Sequence, residues 1–192
     1  MKKILVFNCN PKKDSFSSEL AKKYCHGAEL SGADCKIINL IDLEFILNLK
    51  WGNTKHIEFE DDLVRAQKEI IEAQHLVFVY PNWWGTYPAL LKSFVDRVIL
   101  SGFAFKYREN SLLWDKLLTG RTARLIITMD TPKLYYYLVF KAPGINSMKK
   151  SILQFCGINP VKTTLLGPIK TSSMNKRKAW LNQIFELGKK MK

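Results

Sequence analysis

Short, wholly apolar runs recur along the chain, and each is followed by a stretch whose apolar residues have helical spacing. Two of them, Ile4–Phe7 and Leu76–Tyr80, carry no polar group except one tyrosine hydroxyl. Such runs are typical of strands buried on both faces, as in parallel sheets. The predicted strands are Ile4–Phe7, Cys35–Leu40, Leu76–Tyr80, Leu125–Thr128 and Val161–Leu166, and the predicted helices are Ser17–Leu30, Asp61–Ala73, Ala89–Leu100, Ser147–Phe155 and Asn175–Lys190.

The strand–helix order, repeated five times, predicts an α/β fold. It indicates a doubly wound, five-stranded parallel sheet with helices on both faces. A length of 192 residues suits a single domain spanning residues 1–192. Residues 42–60 are expected to form a long loop with a helical turn, and residues 103–121 are expected to leave the sheet as an irregular excursion, for which an appended hairpin is one form.

Positive charge is concentrated in the last third of the chain. The formal net charge is +13, and residues 133–192 hold 12 basic side chains and one acidic side chain, Glu186. Such an excess suits nucleic acid, an anionic membrane or a phosphorylated ligand, although a solvated, lysine-rich helix surface is the favoured interpretation. Nucleic acid is the least expected partner, because no helix-turn-helix, RNA-recognition or zinc-finger motif is present.

Cysteine and histidine residues form no metal-binding pattern. The four cysteines include no C-x-x-C pair, and the three histidines do not cluster with them, so neither a metal site nor a disulfide framework is expected. Cys9 and Cys156 are expected to be core thiols in a reducing cytoplasm, and His75 is expected at the surface. The apolar runs predict no signal peptide and no integral membrane segment, and we expect a cytoplasmic protein.

The first candidate site segment follows the first strand, where an open parallel sheet binds its ligands. Asn10 begins it, and Ser15, Phe16 and Ser17 place hydroxyl and backbone N–H groups at the start of a helix, which is typical of an anion site. The pair Lys12–Lys13 would add attraction. Phosphate binding and ordinary helix capping are about equally favoured by this segment alone, which has neither a G-x-G-x-x-G nor a P-loop motif.

Two further segments follow later strands. Trp83, Trp84 and Tyr87 lie in a loop bounded by proline, and two adjacent tryptophans cannot easily enter one core. A flat ligand or an interface is therefore favoured over a cover for the next helix. Thr128–Thr131 could offer N–H groups to an electron-rich ring, although a plain turn is favoured for it alone. No catalytic triad is apparent, which points to a cofactor as the source of the chemistry.

Together these motifs resemble the flavodoxin-like NAD(P)H:quinone oxidoreductases of the DT-diaphorase type. The resemblance spans nearly the whole chain, and its most specific block begins at Pro81 and continues to Phe105. The matching residues are Pro81, Trp84, Pro88, Ala89 and Lys92, then Asp96-Arg97-Val98 and Gly102-Phe103-Ala104-Phe105.

The resemblance implies a homodimer with one bound flavin per subunit, FAD or, as in shorter relatives, FMN. It implies that the flavin phosphates lie on Asn10, Ser15, Phe16 and Ser17. It implies that the flavin ring lies against Pro81, Asn82, Trp83, Trp84 and Gly85 and the backbone of Thr128, Met129, Asp130 and Thr131. Substrate would contact Trp84 and Tyr87, with Phe105 and Tyr107 reaching over from the other subunit, and Tyr136 would be the catalytic tyrosine.

The implied reaction is ping-pong transfer of a hydride from NADPH or NADH, through flavin N5, to a quinone or a similar flat small-molecule acceptor. N–H groups of Met129–Thr131 would stabilise the charge of the reduced ring. The chain departs from the family because no histidine follows Tyr136, so a tyrosine–histidine proton relay is not expected. Two alternatives stay open: an ancillary regulatory subunit of a potassium-efflux transporter, and a non-enzymatic flavodoxin-like electron carrier.

Overall fold

A computed structural model describes residues 1–49, 52 and 59–191. Eight residues of the expected loop over 42–60, namely 50, 51 and 53–58, lie outside the described residues. The strands are β1 (Lys3–Asn8), β2 (Asp34–Asn39), β3 (His75–Pro81), β4 (Phe105–Tyr107), β5 (Trp114–Lys116), β6 (Thr122–Thr128) and β7 (Val161–Leu166). The helices are α1 (Phe16–Leu30), α2 (Asp61–Glu72), α3 (Ala89–Val98), α4 (Lys133–Leu138), α5 (Pro143–Asn146) and α6 (Met174–Lys189), with a 3₁₀ turn over Leu40–Asp42 and a π-helical segment over Ser147–Gln154.

The main sheet has five strands in the order β2-β1-β3-β6-β7, and every neighbouring pair is parallel. The predicted doubly wound, five-stranded α/β architecture is therefore confirmed. The chain runs from β1 to the neighbour on one side, β2, and then crosses to the neighbour on the other side, β3. This reversal places the topological switch point between β1 and β3, where open α/β sheets bind their ligands.

Helices cover both faces of the sheet and so form two cores. Alternate residues of each central strand point into one core or the other. On β1, Leu5 and Phe7 join the core beneath α2 and α3, while Ile4 and Val6 join the core beneath α1 and α6. All four side chains are buried. Burying an aliphatic or aromatic side chain of this size contributes about 1.5–3 kcal/mol each, which explains why the middle of β1 is wholly apolar.

The predicted excursion contains a two-stranded antiparallel hairpin, β4–β5. Trp114 on β5 anchors it, since its ring stacks on Phe155 with centroids 4.3 Å apart and its Nε1–H donates to the Phe155 carbonyl over 2.9 Å. The predicted helix over 147–155 is π-helical and continues directly from α5. Helices α4 and α5 have no counterpart in the sequence prediction, because Pro132, Pro143 and Gly144 interrupt the apolar spacing there.

The expectation that His75 lies at the surface is wrong. Its side chain is 2% exposed because β3 begins at His75 and is a central strand, flanked by β1 and β6. The ring pairs with the Thr122 hydroxyl, Nδ1 to Oγ1 at 2.6 Å, and burial lowers the His75 pKa to about 3, so the ring is neutral. Cys9 and Cys156 are buried as expected, and all four cysteines are free.

None of the helices among the described residues combines the length and apolar character needed to cross a bilayer. The same described ranges hold no cluster of three or more histidine, cysteine or acidic side chains arranged for a metal ion.

Candidate active site

Three loops meet at the carboxyl edge of the sheet, following β1, β3 and β6. The loops after β3 and β6 are joined directly, because the Asn82 N–H donates to the Thr128 carbonyl over 2.7 Å. The loop after β1 is tied to β3, since the Cys9 N–H donates to the Val79 carbonyl over 2.9 Å. The structure therefore brings the three predicted site segments together around the switch point.

The loop after β1 is a compact network of small polar side chains. Ser15 is the N-cap of α1, and its Oγ accepts from the Ser18 N–H over 3.3 Å. The buried Asn10 uses its side-chain carbonyl to accept from the Lys12 N–H and its Nδ2 to donate to the Ser17 hydroxyl, at 3.0 and 3.3 Å. The capping interpretation of Ser15 is thus correct, and it coexists with hydroxyls gathered at the positive end of a 15-residue helix.

The two lysines of this loop differ in the charge they can offer to a ligand. Lys13 is paired with Asp42, Nζ to Oδ1 at 2.8 Å, in an exposed ion pair. The carboxylate offsets much of the Lys13 charge, so attraction by both lysines, as expected from sequence, is reduced to that of Lys12. For the predicted phosphate site, the hydroxyls and the N-terminus of α1 are therefore the main donors that the structure provides.

The loop after β3 is a tight two-residue turn that holds both tryptophans outside the core. Trp83 and Thr86 exchange two backbone hydrogen bonds, at 2.8 and 2.9 Å, and the two residues between them have positive φ, 51° for Trp84 and 79° for Gly85. Positive φ at both central positions is the pattern of a type I′ turn. Trp84 at the tip is fully exposed and Trp83 is 47% exposed. Trp84 therefore does not cover α3, and the predicted role of the two tryptophans at a ligand site or interface stays a prediction.

A bulky residue with positive φ is uncommon and costs about 1–3 kcal/mol. Trp84 carries this strain with no compensating burial of its own. Strain of this kind clusters at ligand sites.

Beneath this turn lie two buried tyrosines. Tyr87 is 8% exposed, its ring meets Tyr80 edge to face at 6.1 Å, and its hydroxyl pairs with the Ser147 hydroxyl at 3.0 Å. The predicted contact of Tyr87 with substrate stays a prediction, and the structure gives Tyr87 a supporting position below the turn. The Tyr80 hydroxyl is buried without a hydrogen-bond partner among the described residues.

Tyr136 fixes the turn from the other side. Its side chain is fully buried and its hydroxyl donates to the Gly85 carbonyl over 3.0 Å, a carbonyl that also accepts from the Gly144 N–H at 3.2 Å. Burial raises the Tyr136 pKa above its usual value, which keeps the hydroxyl protonated at neutral pH. The catalytic role predicted for Tyr136 stays a prediction, while its position makes it a clamp on the Trp84 turn.

Gly144 is a site residue that the sequence reasoning missed. A Cβ there would lie 2.7 Å from Thr86 Cα and 3.0 Å from the Gly85 oxygen, so only glycine allows α5 to approach the turn this closely. The adjacent pair Pro143-Gly144 was the available signal, since it marks a backbone with a special geometric requirement.

The loop after β6 corrects one expectation. The Met129 N–H donates to the Leu166 carbonyl over 3.0 Å, and Met129 is 3% exposed, so this amide is not a donor toward a ligand. The reason is that β6 continues its ladder with β7 through this residue. The Asp130 carboxylate is exposed and accepts from the Lys170 N–H over 2.6 Å. The N–H groups of Asp130 and Thr131 are the remaining candidates at this loop.

Phe105 and Tyr107 lie on the hairpin rather than on any of the three loops. Their rings pack edge to face at 5.4 Å, and Phe105 is held against Phe155 at 5.1 Å. Tyr107 is 58% exposed, as a residue that covers a site in another subunit would have to be before assembly. Their predicted role in substrate binding stays a prediction.

The donor set of these loops fits a flavin. Hydroxyls and helix N–H groups without an intrahelical partner suit a phosphate, and Ser15, Ser17 and Phe16 supply them at the start of α1. The exposed indole of Trp84 suits an aromatic ring, with backbone groups of Gly85 and Asp130 nearby in the joined loops. Nothing in the donor set suits a metal ion.

Comparisons with known proteins agree with this fold. The Flavodoxin_2 family model, described as a flavodoxin-like fold, matches residues 2–187. An uncharacterized NAD(P)H oxidoreductase of Haemophilus influenzae is 24% identical over 185 residues, covering 94% of this chain and 91% of that protein.

Two solved structures share the fold. An NAD(P)H:quinone oxidoreductase from Methanothermobacter marburgensis has a TM-score of 0.82 at 21% identity, covering 100% of this chain and 99% of that one. An FMN-dependent NADH-azoreductase from Bacillus anthracis, solved in complex with FMN, has a TM-score of 0.69 at 19% identity, with the same coverage of each chain. The chain therefore belongs to the Flavodoxin_2 family, and it is an oxidoreductase enzyme, as its resemblance to the flavodoxin-like quinone oxidoreductases predicted.

Proposed function

We propose that this protein is a flavin-dependent NAD(P)H:acceptor oxidoreductase that transfers a hydride from NADPH or NADH to a quinone or a similar flat acceptor. The observation that carries the proposal is the pairing, on one sheet edge, of a serine-lined helix N-terminus with a strained and exposed tryptophan turn. The names of the relatives, with nicotinamide, quinone and FMN among them, support the same chemistry.

The two ends of the site have different tasks in this proposal. Asn10, Ser15, Phe16 and Ser17 hold the phosphates of the flavin, FAD or alternatively FMN, through hydroxyl and N–H donors. When bound, the flavin supplies a ring that accepts and then donates a hydride. The turn Pro81–Gly85 orients that ring, because three backbone hydrogen bonds fix the turn to itself and to Thr128.

Charge on the reduced ring would be stabilised by the loop after β6. Asp130 and Thr131 offer their N–H groups, whereas Met129 has donated its own to β7. Preorganised N–H donors of this kind lower the energy of a developing anion without reorganisation during the reaction. Because burial raises the Tyr136 pKa and keeps the hydroxyl protonated, Tyr136 contributes to this proposal by donating to the Gly85 carbonyl and holding the turn in place.

One pocket then serves both substrates in turn, which predicts ping-pong kinetics. Trp84 gives the pocket one aromatic wall, and Phe105 and Tyr107 of a second subunit would supply the other in a homodimer. The exposed face of Tyr107 and the short, well-anchored hairpin support this arrangement.

The test is anaerobic reduction of the purified protein. We expect visible flavin absorbance that NADH or NADPH bleaches and that a soluble quinone restores, with parallel double-reciprocal plots in steady state. The matched variants are Trp84→Ala and Leu30→Ala, which each replace one exposed apolar side chain. Trp84→Ala should raise the KM for the acceptor about tenfold, whereas Leu30→Ala on α1 should leave it unchanged.

Intersecting plots, or equal effects of the two variants, would contradict the shared-pocket proposal. Bleaching by nicotinamide without turnover toward any quinone or dye would instead favour an electron carrier.

A further inference from the structure

A polar side chain is buried at the carboxyl end of β1. Asn8 is 1% exposed and lies on the face of β1 that points toward α1, after the apolar Ile4 and Val6 on the same face. An apolar residue would continue the core there, whereas a buried amide costs free energy unless its polar atoms are paired. The role of Asn8 therefore depends on what its amide contacts.

The amide of Asn8 contacts three different segments of the chain. Its Nδ2 donates to Ser18 Oγ in the first turn of α1 over 3.0 Å, and to Asn39 Oδ1 at the end of β2 over 3.1 Å. Its Oδ1 accepts from the Asn10 N–H over 3.4 Å. Asn8 thus joins the loop after β1 both to the helix that follows and to the neighbouring strand.

Two neighbouring groups fix which end of this amide faces which partner. Asn39 donates through its own Nδ2 to the Asp42 carboxylate over 3.1 Å, so its Oδ1 is left to accept from Asn8. Ser18 gives its single hydroxyl proton to the Lys13 carbonyl, so toward Asn8 it also accepts. Because an ionised carboxylate and a backbone carbonyl can only accept, the network has one direction, and it leaves the Asn8 carbonyl for the loop.

The loop residues that Asn8 holds are those that the proposed function places on the flavin phosphate, or their direct partners. Asn10 donates through its Nδ2 to the Ser17 hydroxyl over 3.3 Å, and Ser18 Oγ lies 3.1 Å from Ser15 Oγ. Removing the Asn8 amide would take one hydrogen-bond partner from Asn10 and one from Ser18. Donors that are already in place bind an anion without a further loss of chain entropy, so this loop gains from being held before a ligand arrives.

We propose that Asn8, oriented by Asn39, is a positioning residue that holds the loop after β1 in the shape that binds the flavin phosphate. The inference rests on the proposed function, which places that phosphate at this loop. Asn8 acts through Asn10 and Ser18 and not by contact with the ligand. Its loss should weaken binding of the phosphate and spare binding of the flavin ring, which lies against the turn after β3 in the same proposal.

The test compares flavins with and without a phosphate, added to the full chain after its bound flavin has been removed. FMN, FAD and riboflavin share the ring and the ribityl chain, and only riboflavin lacks a phosphate. Affinities are measured by quenching of flavin fluorescence, and the wild-type chain should bind FMN or FAD more tightly than riboflavin. Asn8→Ala should lower that tighter affinity about tenfold and Asn39→Ala about threefold, on the scale of the hydrogen bonds removed, with riboflavin affinity unchanged in both.

The matched control is Gln74→Ala. Gln74 Oε1 accepts from the Lys3 N–H over 3.1 Å at the amino end of β1, so this variant also removes an amide that is bonded near one end of that strand. It should bind all three flavins as the wild-type chain does. Asn39 is only half-buried, so Asn39→Ala decides the question if Asn8→Ala does not fold.

Equal losses for riboflavin and for the phosphorylated flavins, or no loss in the Asn8 and Asn39 variants, would overturn the proposal and leave the proposed function in place. The same loss in Gln74→Ala would indicate a general effect on stability and would also overturn it. A wild-type chain that binds riboflavin as tightly as FMN and FAD would contradict the phosphate site and this inference with it. A wild-type chain that binds none of the three would contradict the proposed function itself.

Discussion

The two ends of β3 differ in what they bury: the amino end buries a polar side chain, and the carboxyl end leads into a turn that exposes two aromatic ones. At the amino end, His75 is sealed inside the protein, neutral, with one ring nitrogen bonded to Thr122. At the carboxyl end, the chain leaves the sheet in a strained turn that exposes Trp83 and Trp84. In the proposed function, ligand chemistry is confined to the carboxyl edge of the sheet. Changes at the amino edge should alter stability alone, and changes at the carboxyl edge should alter binding.

The largest effect is expected at the carboxyl edge, from Gly144→Ala. The added methyl group would lie 2.7 Å from Thr86 Cα and must push the tryptophan turn away from α5. We expect a loss of about 3 kcal/mol in the free energy of unfolding, measured in urea, and a flavin affinity at least tenfold lower.

The control for that substitution is Gly102→Ala. Gly102 has φ of +89° with open space where a Cβ would lie, so only backbone strain is introduced, at about 1 kcal/mol. Equal losses in the two variants would mean that the close approach of α5 to the turn does not matter.

At the amino edge, the free energy of unfolding should fall as the solution is acidified. His75 has its pKa lowered from 6.5 to about 3 in the folded protein, so below pH 6.5 the unfolded chain binds a proton that the folded chain does not. Stability contributed by this group is therefore present above pH 6.5 and is lost toward pH 3. From pH 6.5 to pH 5 the loss should reach about 2 kcal/mol.

His75→Asn, which keeps a polar partner for Thr122, should flatten that slope. Flavin affinity per folded molecule should be the same in His75→Asn and in the wild-type chain. A change in flavin affinity would contradict the expectation that the amino edge affects stability alone.

A smaller effect is expected in the loop after β1. Ser17→Ala removes a hydroxyl from the proposed phosphate site and should weaken flavin binding about tenfold, measured by quenching of flavin fluorescence. Ser31→Ala, at the other end of α1, is the matched control and should bind as the wild-type chain does. If both variants bind equally well, the phosphates do not lie on the first turn of α1.

The smallest effect has the opposite sign. Trp84→Gly places the residue that best tolerates positive φ at a position with φ of 51° and no buried side chain. We expect the free energy of unfolding to rise by about 0.5–1 kcal/mol while the KM for the acceptor rises. A loss of stability instead would show that the exposed indole supports the fold.

The fold could be predicted from the sequence because the central strands contain wholly apolar runs. Wholly apolar runs such as Leu76–Tyr80 predict a parallel sheet, and a parallel sheet in turn predicts that ligands bind at its carboxyl edge. The adjacent Trp83 and Trp84 could be placed outside the core because two neighbouring indoles cannot share it. These inferences depend on local patterns, which a sequence displays.

Features that depend on contacts between distant residues escaped prediction. The burial of His75 depends on its place in a central strand, and the loss of the Met129 donor depends on pairing with Leu166, 37 residues later in the chain. The clamp of Tyr136 and Gly144 on Gly85 joins segments more than 50 residues apart. Helix α4 escaped prediction for two local reasons: proline and glycine residues on either side interrupt the apolar spacing, and its exposed residues are apolar, whereas a surface helix ordinarily exposes polar ones.

The most direct test of the central claim is to identify what the folded chain binds. The protein is denatured, the released small molecule is weighed by mass spectrometry, and its amount is compared with the amount of chain, with reconstitution by FAD and by FMN if little is released. We expect FAD or FMN, close to one per chain, with binding weakened at least tenfold in Gly144→Ala. A chain that carries no flavin and takes up neither on incubation would contradict it.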